Sequence, residues 1–238
     1  MKTKSVIFIF LLSVIFTSCE KETIRVSGEV TTVEYNLSGY NSLKVFDDFN
    51  VVVNFSETEE SILVEANADL QEKIVVKKDG DRLVIKLENN INVRGNAIMN
   101  IYITTATIAD FRAAGDVNIV LDDVLIARNA RIALFGDSDF EGPLEVDNLD
   151  VELRGDSDMV VYGTATNVIA DVHGDSDFRD FDLSVENLDI DLRGDSDAFL
   201  TVTESIKIRA TGDSSLSYRG NARVLKEKLS GDSRLISL

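Results

Sequence analysis

The 238-residue chain has one cysteine, one histidine, one proline and no tryptophan. A single cysteine excludes an internal disulfide framework and any paired-cysteine zinc or redox site. A single histidine excludes a histidine-rich metal centre. Cations are scarce as well: 24 Lys+Arg stand against 42 Asp+Glu, for a formal net charge of -18. A chain this acidic is expected to repel nucleic acid and anionic membrane surfaces. What is present in quantity is apolar: 44% of the residues are hydrophobic, enough for one globular domain, or two small ones, with a sizeable core.

The first residues read as an export address. Lys2 and Lys4 precede an apolar run from Val6 to Phe16 that is too short to span a bilayer. Phe16-Thr17-Ser18-Cys19 follows and resembles the lipobox of bacterial lipoproteins, in which the cysteine is lipidated and becomes the first mature residue. The sole cysteine thus sits where such a signal needs it. The expected division is a signal peptide at 1–18, a lipidated Cys19 with a tether or first strand at 19–39, and one domain at 40–238. Within that domain, 40–110 reads as irregular coils or a cap and 111–238 as regular repeats. The expected location is the cell envelope, anchored to the outer membrane through Cys19. Glu20-Lys21-Glu22 behind the cysteine reads either as a surface-export signal or as a solvated tether.

Internal repeats decide the fold. Gly-Asp recurs at Gly115, Gly136, Gly155, Gly174, Gly194, Gly212 and Gly231, in steps of 18 to 21 residues. After six of these glycines the motif is Gly-Asp-Ser. Two residues before each stand Ala113, Leu134, Leu153, Val172, Leu192, Ala210 and Leu229, and the positions four and six before are mostly apolar too, the sixth in the last repeat being Leu225. Period-two alternation means a strand with one buried face. A unit of about 19 residues cannot bury that face alone and must stack on its neighbours. The fold expected is an all-β, single-stranded, right-handed parallel β-helix with one coil per repeat. A β-propeller needs about twice this period.

Asn129, Asn148, Asn167 and Asn187 each lie seven or so residues before a repeat glycine, in line for amide hydrogen bonds from coil to coil. Each glycine is expected to supply a positive φ at a sharp corner. The Asp and Ser that follow are expected to accept backbone N–H groups there. Residues 24–110 are also strand-rich, with a turn at Asp79-Gly80. Helix is expected nowhere except near Ala68–Lys73. Pro143 is expected between strands.

A lipobox, then Leu43-Lys44-Val45 leading to Val51-Val52-Val53, then Asp79-Gly80-Asp81-Arg82-Leu83-Val84-Ile85 and serial glycine-aspartate corners, together resemble the putative auto-transporter adhesin, head GIN domain family. The resemblance spans roughly residues 40–235. It implies a secreted or lipid-anchored right-handed β-helix and an adhesive role, and it supplies no catalytic residues.

Four chemistries compete. Asp137, Asp156, Asp175 and Asp195 form one column of carboxylates, and Asp139, Asp158, Asp177 and Asp197 a second. Oxygen-rich corners of this kind suit Ca²⁺, the one candidate cofactor, and would make the chain a calcium-stabilised periplasmic structural protein. The alternative is that the aspartates cap turns and face solvent. Arg154–Ser157 and Arg193–Ser196 both spell the integrin-binding tetrapeptide, but the arginine slot elsewhere holds Phe135, His173, Thr211 and Ser230. A polysaccharide lyase or hydrolase is permitted by the fold, yet no coil is singled out by its residues. The reading preferred is a non-catalytic, lipid-anchored envelope protein, an adhesin or a scaffold for a glycan or surface-protein ligand. Its partners would then be the membrane, through Cys19, and that ligand, and not nucleic acid. Self-association through Leu235–Leu238 is a further option at the C-terminal end.

Overall fold

The computed structural model describes residues 21–106 and 108–238; the signal segment and Cys19 lie outside the described residues. The chain is nearly all β, a solenoid of about 7 turns of roughly 19 residues with a less regular N-terminal region. The N-terminal strands are β1 (Glu22–Arg25), β2 (Val30–Glu34), β3 (Ser42–Asp47), β4 (Asn50–Phe55) and β5 (Ser61–Asn67). A single-turn helix, α1 (Ala68–Gln71), precedes β6 (Ile74–Asp79), β7 (Arg82–Leu87), β8 (Ile91–Arg94) and β9 (Met99–Thr105). Then come β10 (Asp110–Gly115), β11 (Asn118–Leu121), β12 (Leu125–Gly136), β13 (Asp139–Gly155), β14 (Asp158–Gly174), β15 (Asp177–Gly194) and β16 (Asp197–Gly212). The last coils are β17 (Ser215–Arg219), β18 (Arg223–Gly231) and β19 (Arg234–Ser237).

From β10 onward every coil pairs in parallel with the next. Gly136, Gly155, Gly174, Gly194, Gly212 and Gly231 are successive register partners. The column Ala113–Leu134–Leu153–Val172–Leu192–Ala210 is buried throughout. Alternate residues point into one continuous core, whose largest members include Phe49, Phe111, Phe140 and Phe178. Phe111 and Phe140 meet edge to face at 5.2 Å, one coil apart, an arrangement that adds to simple burial.

The N-terminal region is built on the same plan, but its order along the axis differs from its order in sequence. β3 and β4 form a coil on which β10 and β11 stack on one side. On the other side lie β7 and β9, also parallel. The stack therefore extends both ways from residues 42–55. Antiparallel pairings close that end: β6 on β7, β5 on β9, and β2 on β5. The strands of 22–34 belong to this cap, with β1 paired to β8.

Several local expectations need correction. Pro143 lies inside β13, opposite Tyr162, and not between strands; Gly142 beside it has φ 150, and a bend at glycine is where a sheet tolerates a residue without an N–H. Leu225 is not in the core column. Val224 faces Ile206, the register slips there, and Leu225 is 53% exposed. Glu227, opposite Ile208, then puts a carboxylate at the end of the core column. A bulge, flanking lysines and an inward-facing charge blunt a sheet edge against further pairing.

Candidate functional site

The corners come first, because they set every outward side chain. Gly155 has φ 106, and a Cβ there would lie 2.6 Å from the Gly136 carbonyl oxygen of the coil before. That close approach lets the Asp156 amide donate to the same oxygen at 2.7 Å. Asp137, Asp175, Asp195, Asp213 and Asp232 repeat the bond at 2.7–2.8 Å. The serine behaves otherwise than expected. Ser138, Ser157, Ser176 and Ser196 are fully buried, and their hydroxyls donate to backbone carbonyls; Ser176 Oγ also accepts, from the Ser157 amide at 3.2 Å. Ser138 Oγ reaches the Gly115 and Phe135 carbonyls at 3.3 and 3.2 Å. A corner exposes C=O groups turned inward, and a small hydroxyl is the group that fits and satisfies them.

The corner aspartates Asp137, Asp156, Asp175 and Asp195 are exposed. In the second column, Arg179 pairs with both Asp158 and Asp177. Asp177 accepts the Asp197 amide, and Asp197 accepts the Ser215 amide. Burial, then the charges of Asp158 and Asp137, raise the Asp139 carboxyl above its ordinary range. Among the described residues, the one group of three His/Asp/Glu side chains with ligand atoms within 4.8 Å of one another is Asp171, His173 and Asp191. The Gly-Asp-Ser columns form no such group.

One missed corner completes the series. Asp47 is the register partner of Gly115 and carries the same kind of backbone, φ 69. The signal was in the flanking columns: Leu43, Val45 and Val51 stand at the repeat's inward positions. Aspartate in place of glycine hid it.

The strand before each corner presents a flat outward face of stacked columns. The asparagines form a ladder: Asn148 donates to Asn129 at 2.9 Å, Asn167 to Asn148 at 3.0 Å and Asn187 to Asn167 at 3.3 Å. Ser205 donates to Asn187 at 2.8 Å and ends it. Beside it runs an ion-pair lattice. Arg131 spans Asp150 and Glu152 at 2.8 and 2.9 Å, and Arg154 takes Glu152 at 2.7 Å. Arg193 and Arg209 both hold Asp191, at 2.7 and 2.8 Å. The Arg154 hydrogen bond outweighs burial and holds Glu152 below the usual carboxylate range. Burial pushes Asp191 up, but hydrogen bonds from Arg193 and Arg209 and their charges bring it below that range.

His173 sits within this lattice. Arg154 can only donate, so His173 Nδ1 accepts, at 3.2 Å, and a neutral ring then carries its proton on Nε2, 3.9 Å from Asp171. Burial first, then the charges of Arg154 and Arg193, lower its pKa. With Nδ1 engaged by a cation and Nε2 protonated, the ring is poorly disposed to bind a metal. Both arginines of the two Arg-Gly-Asp-Ser stretches are thus tied into a flat face. The face carries charge in repeated pairs, with Arg131 Nε and His173 Nε2 left without a hydrogen-bond partner among the described residues, and no carboxylate pair on it is singled out for acid–base work.

Comparison with known proteins fits this geometry. Residues 39–222 match the family described as putative auto-transporter adhesin, head GIN domain. The chain has no match among curated proteins. Among solved structures, it is similar to a putative adhesin from Bacteroides fragilis NCTC 9343, with 20% identity and a TM-score of 0.78 over 90% of this chain and 97% of that one. A protein from Parabacteroides distasonis ATCC 8503 described as a putative lipid binding protein aligns at 14% identity, TM-score 0.72, over 91% and 100%. A putative adhesin from Parabacteroides merdae ATCC 43184 aligns at 15%, TM-score 0.66, over 91% and 99%. At these identities the likeness is one of fold.

Proposed function

The chain belongs to the putative auto-transporter adhesin, head GIN domain family, and from that premise we propose that it is a non-catalytic, adhesin-like protein of the cell envelope. On this reading Cys19 carries the lipid that tethers it, and the outward face of β12–β16 meets an extended partner, a glycan or a surface protein. The observation that carries the proposal is the in-register face itself. Asn129–Asn187 and the arginine–carboxylate lattice fix the same spacing from coil to coil, so a ligand with a regular repeat meets a rigid, preordered surface. The neighbours described as adhesins support a binding role over an enzymatic one.

The experiment is protease shaving of intact cells, with a periplasmic protein as internal marker. Loss of this chain while the marker survives is the expected result. Full protection would overturn the adhesive reading and leave a periplasmic scaffold. Mass measurement of the mature N-terminus tests the anchor: an acylated Cys19 supports it, and an unmodified one removes it.

A further inference from the structure

The cap carries a feature that runs against the acidity of the rest of the chain. An open groove of about 770 Å³ is lined on three adjacent strands by Lys44 and Phe46 of β3, Arg82, Val84 and Lys86 of β7, and Lys77 of β6, with residues 88–91 as one wall. Among the described residues none of the four cations forms an ion pair, in contrast to the arginines of the solenoid face. Lys44 lies 4.6 Å from the centre of the Phe46 ring, Arg82 Nε donates to Ser42 Oγ at 3.3 Å and Lys86 Nζ to Asn89 Oδ1 at 3.0 Å. Three carboxylates also line the groove. Asp47 is held by the Leu87 amide at 2.8 Å and Glu88 by Lys73 at 3.6 Å. Only Asp79, opposite Arg82 in register, is uncommitted.

Its position supplies the second observation. The Glu22 amide donates to the carbonyl of Asn90, on the groove wall, at 2.9 Å, and Glu22 faces Ile91 in the β1–β8 pair. Cys19 precedes Glu22 by three residues, which reach at most about 10 Å. A lipid on Cys19 thus brings the groove to the bilayer surface, within the reach of headgroup charge at low ionic strength.

We propose that this groove binds the phosphate-bearing headgroups of the anionic leaflet in which Cys19 is anchored, and so fixes the solenoid's orientation on that membrane. The assignment rests on the lipid anchoring proposed above. An acyl anchor alone leaves the rod free to tilt, and a cluster of cations beside it adds a second, orienting attachment.

The test is lysine-by-lysine amine labelling of the lipidated chain purified from cells and reconstituted in vesicles. Phosphatidylcholine vesicles are compared with vesicles that also hold phosphatidylglycerol. One cation's attraction to an anionic leaflet corresponds to about a fivefold preference. Lys44, Lys77 and Lys86 should therefore label at least about fivefold more slowly with phosphatidylglycerol, and high salt should restore the rate. Lys226 and Lys228, at the other end of the solenoid, should label alike in both. Equal labelling of the groove lysines in the two vesicles overturns the proposal. So does equal protection on phosphatidylcholine by added glycerol phosphate, which would mean a free phosphate ligand, or by polygalacturonate, which would mean an acidic glycan. A chain recovered without acyl mass overturns the anchoring alone; the same labelling with that chain added to vesicles then decides the groove by itself.

Discussion

Asp47 stands directly below Gly115 in the corner column and turns its Oδ2 to accept the Leu87 amide at 2.8 Å. One residue thereby joins the first coil of the solenoid to the cap strand beneath it. It does so in the left-handed region, φ 69, which aspartate and asparagine tolerate better than most side chains.

Replacing Asp47 separates the two roles. Asp47→Ala loses the acceptor and keeps the strained φ, so a destabilisation of about 1–2 kcal/mol is expected. Asp47→Gly loses only the bond and should cost less. Asp47→Asn keeps an acceptor and the tolerated φ and should stay within about 0.5 kcal/mol of the parent. Urea denaturation of the three variants checks the order; an alanine variant as stable as the asparagine one contradicts it.

Glycine tolerance should follow the close approaches. Gly163, at φ 116, would place a Cβ 2.1 Å from the Leu144 carbonyl oxygen, and Gly155 would place one 2.6 Å from that of Gly136. Alanine at either site should cost more than about 2 kcal/mol. Gly28 has nothing within 4 Å of such an atom, and Gly28→Ala should lie within about 0.5 kcal/mol of neutral. Thermal unfolding of the single variants measures the difference.

The asparagine ladder gives a smaller, local effect. Asn148 both donates to Asn129 and accepts from Asn167. Because the ladder is solvent-exposed, Asn148→Ala should lower stability by only about 1 kcal/mol. Asn187→Ser, next to the terminating Ser205, should do less. Chemical denaturation reads both.

Acid should act in two directions at once. Glu152 has a lowered folded pKa, so its contribution is present above the unfolded carboxylate range and is lost as pH falls through the folded value. Asp139 has a raised folded pKa, so it opposes folding at neutral pH and relaxes as pH falls through that raised value. After solvent screening, Asp139→Asn should stabilise the chain by a few tenths of a kcal/mol at pH 7 and by nothing once both states are protonated. Glu152→Gln should destabilise at pH 7, with the same convergence in acid. Stability against pH from 7 to 3 is the measurement, and parallel curves for parent and variant contradict the assignment.

Metal removal offers a last check on the aspartate columns. With Asp137 and its stacked equivalents exposed and Arg179 bridging Asp158 and Asp177, the Tm should be the same in excess Ca²⁺ and in EDTA. A rise of several degrees with Ca²⁺ would mean that a bound ion adds stability by linkage.

The solenoid was legible in the sequence because its physics is periodic. Leu134, Leu153, Val172 and Leu192 recur at one slot since each must cover the same stripe of core. The corner glycines recur since each must admit the carbonyl of the coil before. What escaped was aperiodic. Parallel partners for residues 42–55 occur both at 82–105 and at 110–121, and no spacing announces that a stack runs both ways. Lys44, Lys77, Arg82 and Lys86 are scattered in sequence and meet only because β6, β7 and β3 lie side by side. The serine's inward turn was hidden for a different reason. A hydroxyl both donates and accepts, and which it does depends on the carbonyls around it.

The two-way growth of the stack imposes an order of assembly. Coil 42–55 has both neighbours only when the chain has emerged past about residue 121, whereas each later coil needs only the next 19 or so residues. The first three layers are therefore a seed that closes slowly through distant segments, and the remainder is a front that advances by local addition toward the C-terminus. Shortening the chain from its C-terminal end should peel the rod layer by layer, while an insult to residues 42–55 removes the template on which every layer is laid.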